Sequence, residues 1–257
     1  MKPQLLTYLV FGLFFICSCK DKNETQPQNT VPTETKIQIK YACYWNNELF
    51  QIQQPYTDQF GTIFRIDFMK QYVSYLQLQK PDGSYALLKD FDLIDFTSPT
   101  TRTFSIPAGS YNRLELSLGV PKNYNIGQDP AQYPSDHPLS VAGSQGMFWH
   151  WNTGYIFSKF EGKCDTTGIS GNSLIVPIAI HAGTDSAFRS IHNDSDILIT
   201  SGQIKNIEIK FHIDRLLNGS GNVPLNLEED AITHSSTDPA LARLYMDNLA
   251  SCIEFVE

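Results

Sequence analysis

The chain has 257 residues, 41% of them hydrophobic and 12% aromatic, and carries a formal net charge of −8. That balance leaves ample apolar side chain for a sizeable core and excludes a nucleic-acid binder, whose phosphate partner demands a basic surface. Acidity of this size mainly serves solubility.

The N-terminus reads MKPQLLTYLVFGLFFICSC. One cation at Lys2 precedes an apolar run over residues 5–16, the length of a signal-peptide h-region and too short for a membrane-spanning helix. Ile16, Cys17, Ser18 and Cys19 resemble the bacterial lipobox, which implies removal of residues 1–18 and lipidation of Cys19. Two or three acyl chains there would anchor the protein stably, since each buried methylene contributes about 0.8 kcal/mol. Residues 19–36 are polar, contain prolines and have almost nothing to bury, so a flexible tether is expected. A peripheral protein of the cell envelope follows, at the outer membrane and facing either the periplasm or the surface.

Residues 37–257, roughly 220 in number, fit one all-β domain. Ile37, Ile39, Tyr41 and Cys43 alternate with polar partners, which predicts a half-buried strand. Ile63, Phe64, Ile66 and Phe68 lead into a second, where Val73, Tyr75, Gln77 and Gln79 oppose Leu76 and Leu78. Pro81-Asp82-Gly83 predicts a hairpin, because Asp-Gly turns match the twist of paired strands. A turn at Pro107-Ala108-Gly109 precedes the alternation Leu114, Leu116, Leu118. Residues 121–146 are long, rich in Pro and Gly, and aperiodic, a loop of the kind that often carries function.

Further strands are expected over 173–180 and 204–214. Asp238 as N-cap with Pro239 behind it predicts a helix, with Ala240, Leu241, Leu244 and Leu249 as its stripe. The sum is an antiparallel β-sandwich with long loops and a short C-terminal helix. Beyond the signal and lipobox, Cys43, Cys164 and Cys252 remain. In an oxidising envelope one pair of them can close a disulfide, in any of three pairings.

No HExxH, GxSxG or phosphate-binding glycine loop occurs, and the chain is not expected to be an enzyme. Residues 193–196, NDSD, lack the glycine and glutamate of a calcium loop and read as an Asx-type turn. The run GMFWHWNTGYIF at 146–157 holds two of the three tryptophans. If extended, it puts Met147, Trp149 and Trp151 on one face and Phe148, His150 and Asn152 on the other. On pattern alone the first face is core, because Met and Trp most often serve packing. His181 ends VPIAIH opposite Val176, Ile178 and Ile180; His137 lies in the long loop and His234 before the helix. Imidazole and thioether are together the ligand types that suit copper(I).

GMFWHWNTGYIF, then KFEG at 159–162 and the His181-Ala182-Gly183 turn, resemble the MbnP-like family of copper-associated periplasmic proteins. The likeness extends to FMKQYVSYLQLQKPDG at 68–83, IPAGSYNRLELSLGVP at 106–121, DHPLS at 136–140 and DPALARLYMDNLA near the C-terminus. It implies copper(I) binding and a diheme partner of the MauG or cytochrome c peroxidase type that oxidises a tryptophan to kynurenine. An indole nitrogen is only a donor; opening the ring gives an aryl amine with a free lone pair. Carried over, Trp149 and Trp151 match the paired tryptophans, with Trp151 the narrow preference for oxidation, Met147 the methionine and His181 the His-x-Gly histidine. His137 matches an HP position, and His150 stands where a small polar residue is more usual, as a local ligand or a solvent-facing change. The competing expectation is a non-metal β-sandwich lipoprotein whose aromatic cluster is core and whose loops bind a protein or glycan.

Overall fold

Ile37, Ile39 and Tyr41 lie fully buried along β1 (Lys36–Trp45) in the computed structural model, which describes residues 35–149, 154–165 and 174–257. The chain continues through β2 (Glu48–Leu49), β3 (Pro55–Thr57), β4 (Ile63–Gln79), β5 (Tyr85–Asp95), β6 (Thr100–Ser105) and β7 (Gly109–Leu118). After α1 (Lys122–Asn125) come β8 (Phe148–Trp149), β9 (Gly154–Asp165), β10 (Val176–Gly183), β11 (Arg189–Ile199) and β12 (Ile204–His212). The C-terminal part holds α2 (Ile213–Asn218), β13 (Ile232–Thr233), α3 (Pro239–Ser251) and β14 (Ile253–Val256). All described residues belong to one unit, 33–257.

Two sheets form. One runs β14-β12-β1, with β6 and β2 also on β1; the other runs β11-β7-β4-β9-β10-β13, with β3 and β5 on β4 and β8 on β9. They meet through Cys43 of β1 against Met69 of β4, sulfur to sulfur 3.8 Å, and through the edge-on rings of Phe96 and Phe211 at 4.8 Å. The expected β-sandwich is therefore present. Two of its pairings, β1 with β12 and β10 with β13, run parallel. Parallel neighbours need long connections, and here the intervening strands of the sandwich supply them.

Helix α3 starts where the sequence places it: the Asp238 carboxylate accepts from the backbone N–H groups of Ala240 and Leu241, with Pro239 at the first turn. Its buried face is Leu241, Ala242, Tyr245, Met246, Asn248 and Leu249, while Ala240 is exposed. The Tyr245 hydroxyl meets Ser158 Oγ at 2.9 Å, tying the helix to β9. The hairpin at Pro81-Asp82-Gly83 also forms, with the Gly83 N–H donating to Lys80 O.

Strand β4 departs from strict alternation. Val73 and Leu76 are both buried, because Tyr75 adopts φ 51° and β4 gains one residue against β7 between Ser74 and Gln77. A bulge of this kind adds a residue and reverses which face follows it; no hydrophobic pattern announces it. Residues 193–196 are likewise not a turn but part of β11, whose register to β7 shifts between Asp194 and Ile197. Asp194 there accepts from Arg113 at 2.6 Å.

The anticipated disulfide does not form: Cys43, Cys164 and Cys252 are all free and buried. Cys43 lies on β1 and Cys252 hydrogen-bonds through its carbonyl to His212 at the end of β12, so β12 separates the two. Two strand spacings amount to roughly 9–10 Å, beyond the ~7 Å Cα separation a disulfide spans. Burial pushes the Cys43 thiol well up and the Cys252 thiol up to about 12, so both stay protonated and unreactive. Alkylation of the native protein, mapped by peptide mass spectrometry, is expected to leave all three unlabelled and to label all three after denaturation; labelling of any one in the folded state would contradict its burial.

Candidate metal centre

The long loop 121–146 is pinned onto the second sheet by polar contacts from beneath. Tyr72 and Tyr155 donate their hydroxyls to the carbonyls of Pro138 and Leu139. Buried Asn125, at the end of α1, accepts from the Tyr155 N–H at 2.8 Å and donates to Asp185 at 3.3 Å. That amide holds the start of β9 in place, and β8 pairs with it through Phe148 with Tyr155 and Trp149 with Gly154. Met147 is fully buried and Trp149 is 2% exposed, so both occupy the buried side the alternation predicts.

Trp149 rests on the end of β10. A Cβ on Gly183 would stand 2.5 Å from Trp149 Cζ3 and 2.6 Å from the Tyr155 carbonyl oxygen, so only glycine admits this approach. The Trp149 Nε1–H is buried with no hydrogen-bond partner among the described residues. A buried group left without a partner costs about 1–3 kcal/mol.

Two residues before Gly183, His181 stands in a row that crosses four strands. Lys70 of β4 is opposite Lys159 of β9, which is opposite His181 of β10, and the pairing of Ile180 with Thr233 brings His234 alongside. By strand alternation this row faces away from Met69, Phe160 and Ile180, which point into the core. The His181 and His234 rings stack at 4.7 Å with 16° between their planes. His181 Nε2 meets Glu161 Oε1 at 2.6 Å, and Lys159 reaches the same oxygen at 3.3 Å. Lys159 and Lys70 sit over the Phe68 ring, and Lys70 also donates to Gln145, tying the loop before Met147 to this face. Burial lowers the His181 pKa, with Glu161 opposing and Lys159 and His234 adding to the shift, so the imidazole is neutral and holds a lone pair at neutral pH.

The sequence model of the MbnP family matches residues 34–235. This chain belongs to the MbnP family. Among solved structures it is similar to MbnP from Methylosinus trichosporium, with 13% identity, a TM-score of 0.57, and coverage of 86% of this chain and 97% of that one. At that identity the likeness is one of fold. Among curated proteins none matches.

Set against the MbnP resemblance, the structure brings Trp149 against the strand that carries His181 and buries Met147 in the adjoining core. His150 and Trp151 lie outside the described residues, as does Cys19. His137 occupies a separate niche, stacked on Tyr133 at 4.6 Å and beside Phe91. Its Nδ1 accepts the Leu139 N–H at 3.1 Å, which puts the ring proton on Nε2 and leaves this histidine no free lone pair as placed. Two residues with clear contacts were not singled out in the sequence, Asn125 and Glu161, while His234 was named there only as one of the histidines of a type that suits copper(I). Glu161 lies inside the KFEG motif, and that is the one available signal. A cavity of about 530 Å³ lined by His192, Arg215 and Glu254 lies between β11 and β14, remote in sequence and topology from the row. Among the described residues no cluster of three or more His, Cys, Asp or Glu is placed to hold a metal.

Proposed function

We propose that this protein is an envelope lipoprotein, anchored through Cys19, that binds copper(I) with His181 as a ligand and that a diheme partner of the MauG or cytochrome c peroxidase class matures by oxidising Trp149 or Trp151 to kynurenine. The observation that supports this reading best is the pairing of a neutral, carboxylate-oriented histidine with a buried indole whose N–H has no partner among the described residues, joined through the Gly183 notch. Metal-ligating histidines characteristically give their second nitrogen to a carboxylate, as His181 does to Glu161. Copper(I) suits a site of soft or imidazole donors and few of them. Met147 and His137 also belong to the set that the family resemblance assigns, although the His137 lone pair is engaged as placed, and His150 stands beside them as a local ligand that the resemblance does not supply. Among the described residues no helix is long and apolar enough to cross a membrane.

Two measurements test the reading. Intact and peptide mass spectrometry of protein from its native envelope, with metal analysis, should find the mass of kynurenine at Trp149 or Trp151 and bound copper. Unmodified tryptophans without copper would leave a structural aromatic cluster and overturn it. Separately, His181→Ala should weaken copper(I) binding at least tenfold, about 1.4 kcal/mol, in a competition titration against a chromophoric chelator. Unchanged affinity in the folded variant would remove His181 from the site.

A further inference from the structure

We propose that the cavity between β11 and β14 is a strand-insertion site: an extended peptide of a partner protein pairs with the open strand edges there and anchors an acidic side chain on Arg215. The site lies apart from the histidine row and does not depend on the copper reading.

Sheet order leaves both edges open. Strand β11 ends one sheet and pairs only with β7, and β14 ends the other and pairs only with β12, among the described residues. The cavity of about 530 Å³ between them is bordered by residues 190–193 of β11 and 253–255 of β14, with Arg215 of α2 and Ala250 of α3 beside them. Successive side chains of a strand point to opposite faces. A cavity touched by consecutive residues of two strands therefore runs along their edges, where every second residue turns its N–H and C=O outward. Those groups are what an added strand reads.

Edges are commonly protected against such pairing by bulges and charges. The bulge of β11 falls between Asp194 and Ile197, and next to it Ser195 Oγ donates to Glu257 at 2.7 Å. Both features lie past the cavity. Residues 189–194 keep unbroken register with β7, so the stretch that borders the cavity is regular. At about 3.3 Å per residue, four residues of edge offer roughly 13 Å to a partner strand.

The lining states which strand fits. Ile191, Ile253 and Phe255 are half-buried against the core and give an apolar floor for the inward side chains of the insert. Of the charged groups on the rim, the Glu254 carboxylate accepts from buried His212 Nε2 at 2.6 Å, and His192 stands 3.7 Å from Asp194. Arg215 is exposed, and its guanidinium has no hydrogen bond or ion pair among the described residues. A free guanidinium selects a carboxylate, which it holds through two parallel N–H···O bonds.

The test titrates the full chain in detergent with an acetylated, amidated heptapeptide of alternating valine and threonine whose central residue is glutamate. Amide NMR should show saturable shifts over residues 189–193 and 253–256, with hydrogen exchange there slowed at least tenfold. Glutamine in place of the peptide glutamate, or Arg215→Gln in the protein, should weaken binding at least fivefold, and N-methylation of alternate peptide nitrogens should abolish it. Equal binding of the N-methylated peptide would show that the cavity takes side chains or a small acid and would overturn strand insertion. Equal binding by Arg215→Gln would overturn the acidic anchor. No saturable shift at millimolar peptide, or shifts centred elsewhere, would overturn the site as a whole. The N-methyl comparison uses the parent protein, so it does not depend on a variant folding.

Discussion

Trp149→Ala is expected to lose about 3–5 kcal/mol of folding stability, the usual cost of deleting a buried aromatic. For a domain of this size that corresponds to a fall in Tm of roughly 6–20 °C. The side chain is 2% exposed and fills the notch over Gly183 between β9 and β10, so neighbouring atoms cannot collapse into the space without moving two strands. Trp149→Phe separates packing from chemistry. It keeps most of the volume and removes an N–H that has no partner among the described residues, so it should cost under about 1.5 kcal/mol. If oxidation falls on Trp149, this variant folds and forms no kynurenine there; if Trp151 is the oxidised residue, Trp149→Phe still carries the modification. A loss of less than about 1 kcal/mol in Trp149→Ala would mean that the indole does not support the hairpin as described.

Gly183→Ala should destabilise by about 1–3 kcal/mol through overpacking. The new methyl group meets two obstacles at once, the Trp149 ring at 2.5 Å and the Tyr155 carbonyl at 2.6 Å. The ring can swing aside, but the carbonyl belongs to β9 and is held by sheet pairing. Chemical denaturation measures the loss, and intrinsic fluorescence reports the displaced indole. Because Gly183 N–H also donates to Ser235, the same variant should loosen the strand end that carries His181 and weaken copper(I) binding. Stability and fluorescence both equal to the parent would show that the ring does not rest on this glycine.

Local pattern carried much of the architecture. The alternation Ile37, Ile39, Tyr41 predicted β1 and its buried face, because period two reports directly which side of a strand loses water. The Asp238-Pro239 start of α3 was readable for a similar reason, since capping is settled by atoms within four residues of each other. Bulges were not readable: Val73 and Leu76 share a face only because Tyr75 takes a left-handed conformation, a choice imposed by pairing with two neighbouring strands. The parallel pairing of β1 with β12 joins segments that are far apart in the chain, and nothing in either segment names its partner.

For the site, the sequence by itself determined the family, through its aromatic motif and the His181-Ala182-Gly183 turn, and the residue types suited to a soft metal. The tertiary structure decided which of those residues share a place. It set His137 in its own niche with its lone pair engaged, brought His234 across from a distant segment onto His181, and gave Glu161 the task of fixing a tautomer. The physical reason is that a ligand's identity is written in one residue, whereas the direction of its lone pair depends on hydrogen-bond partners that strand pairing supplies.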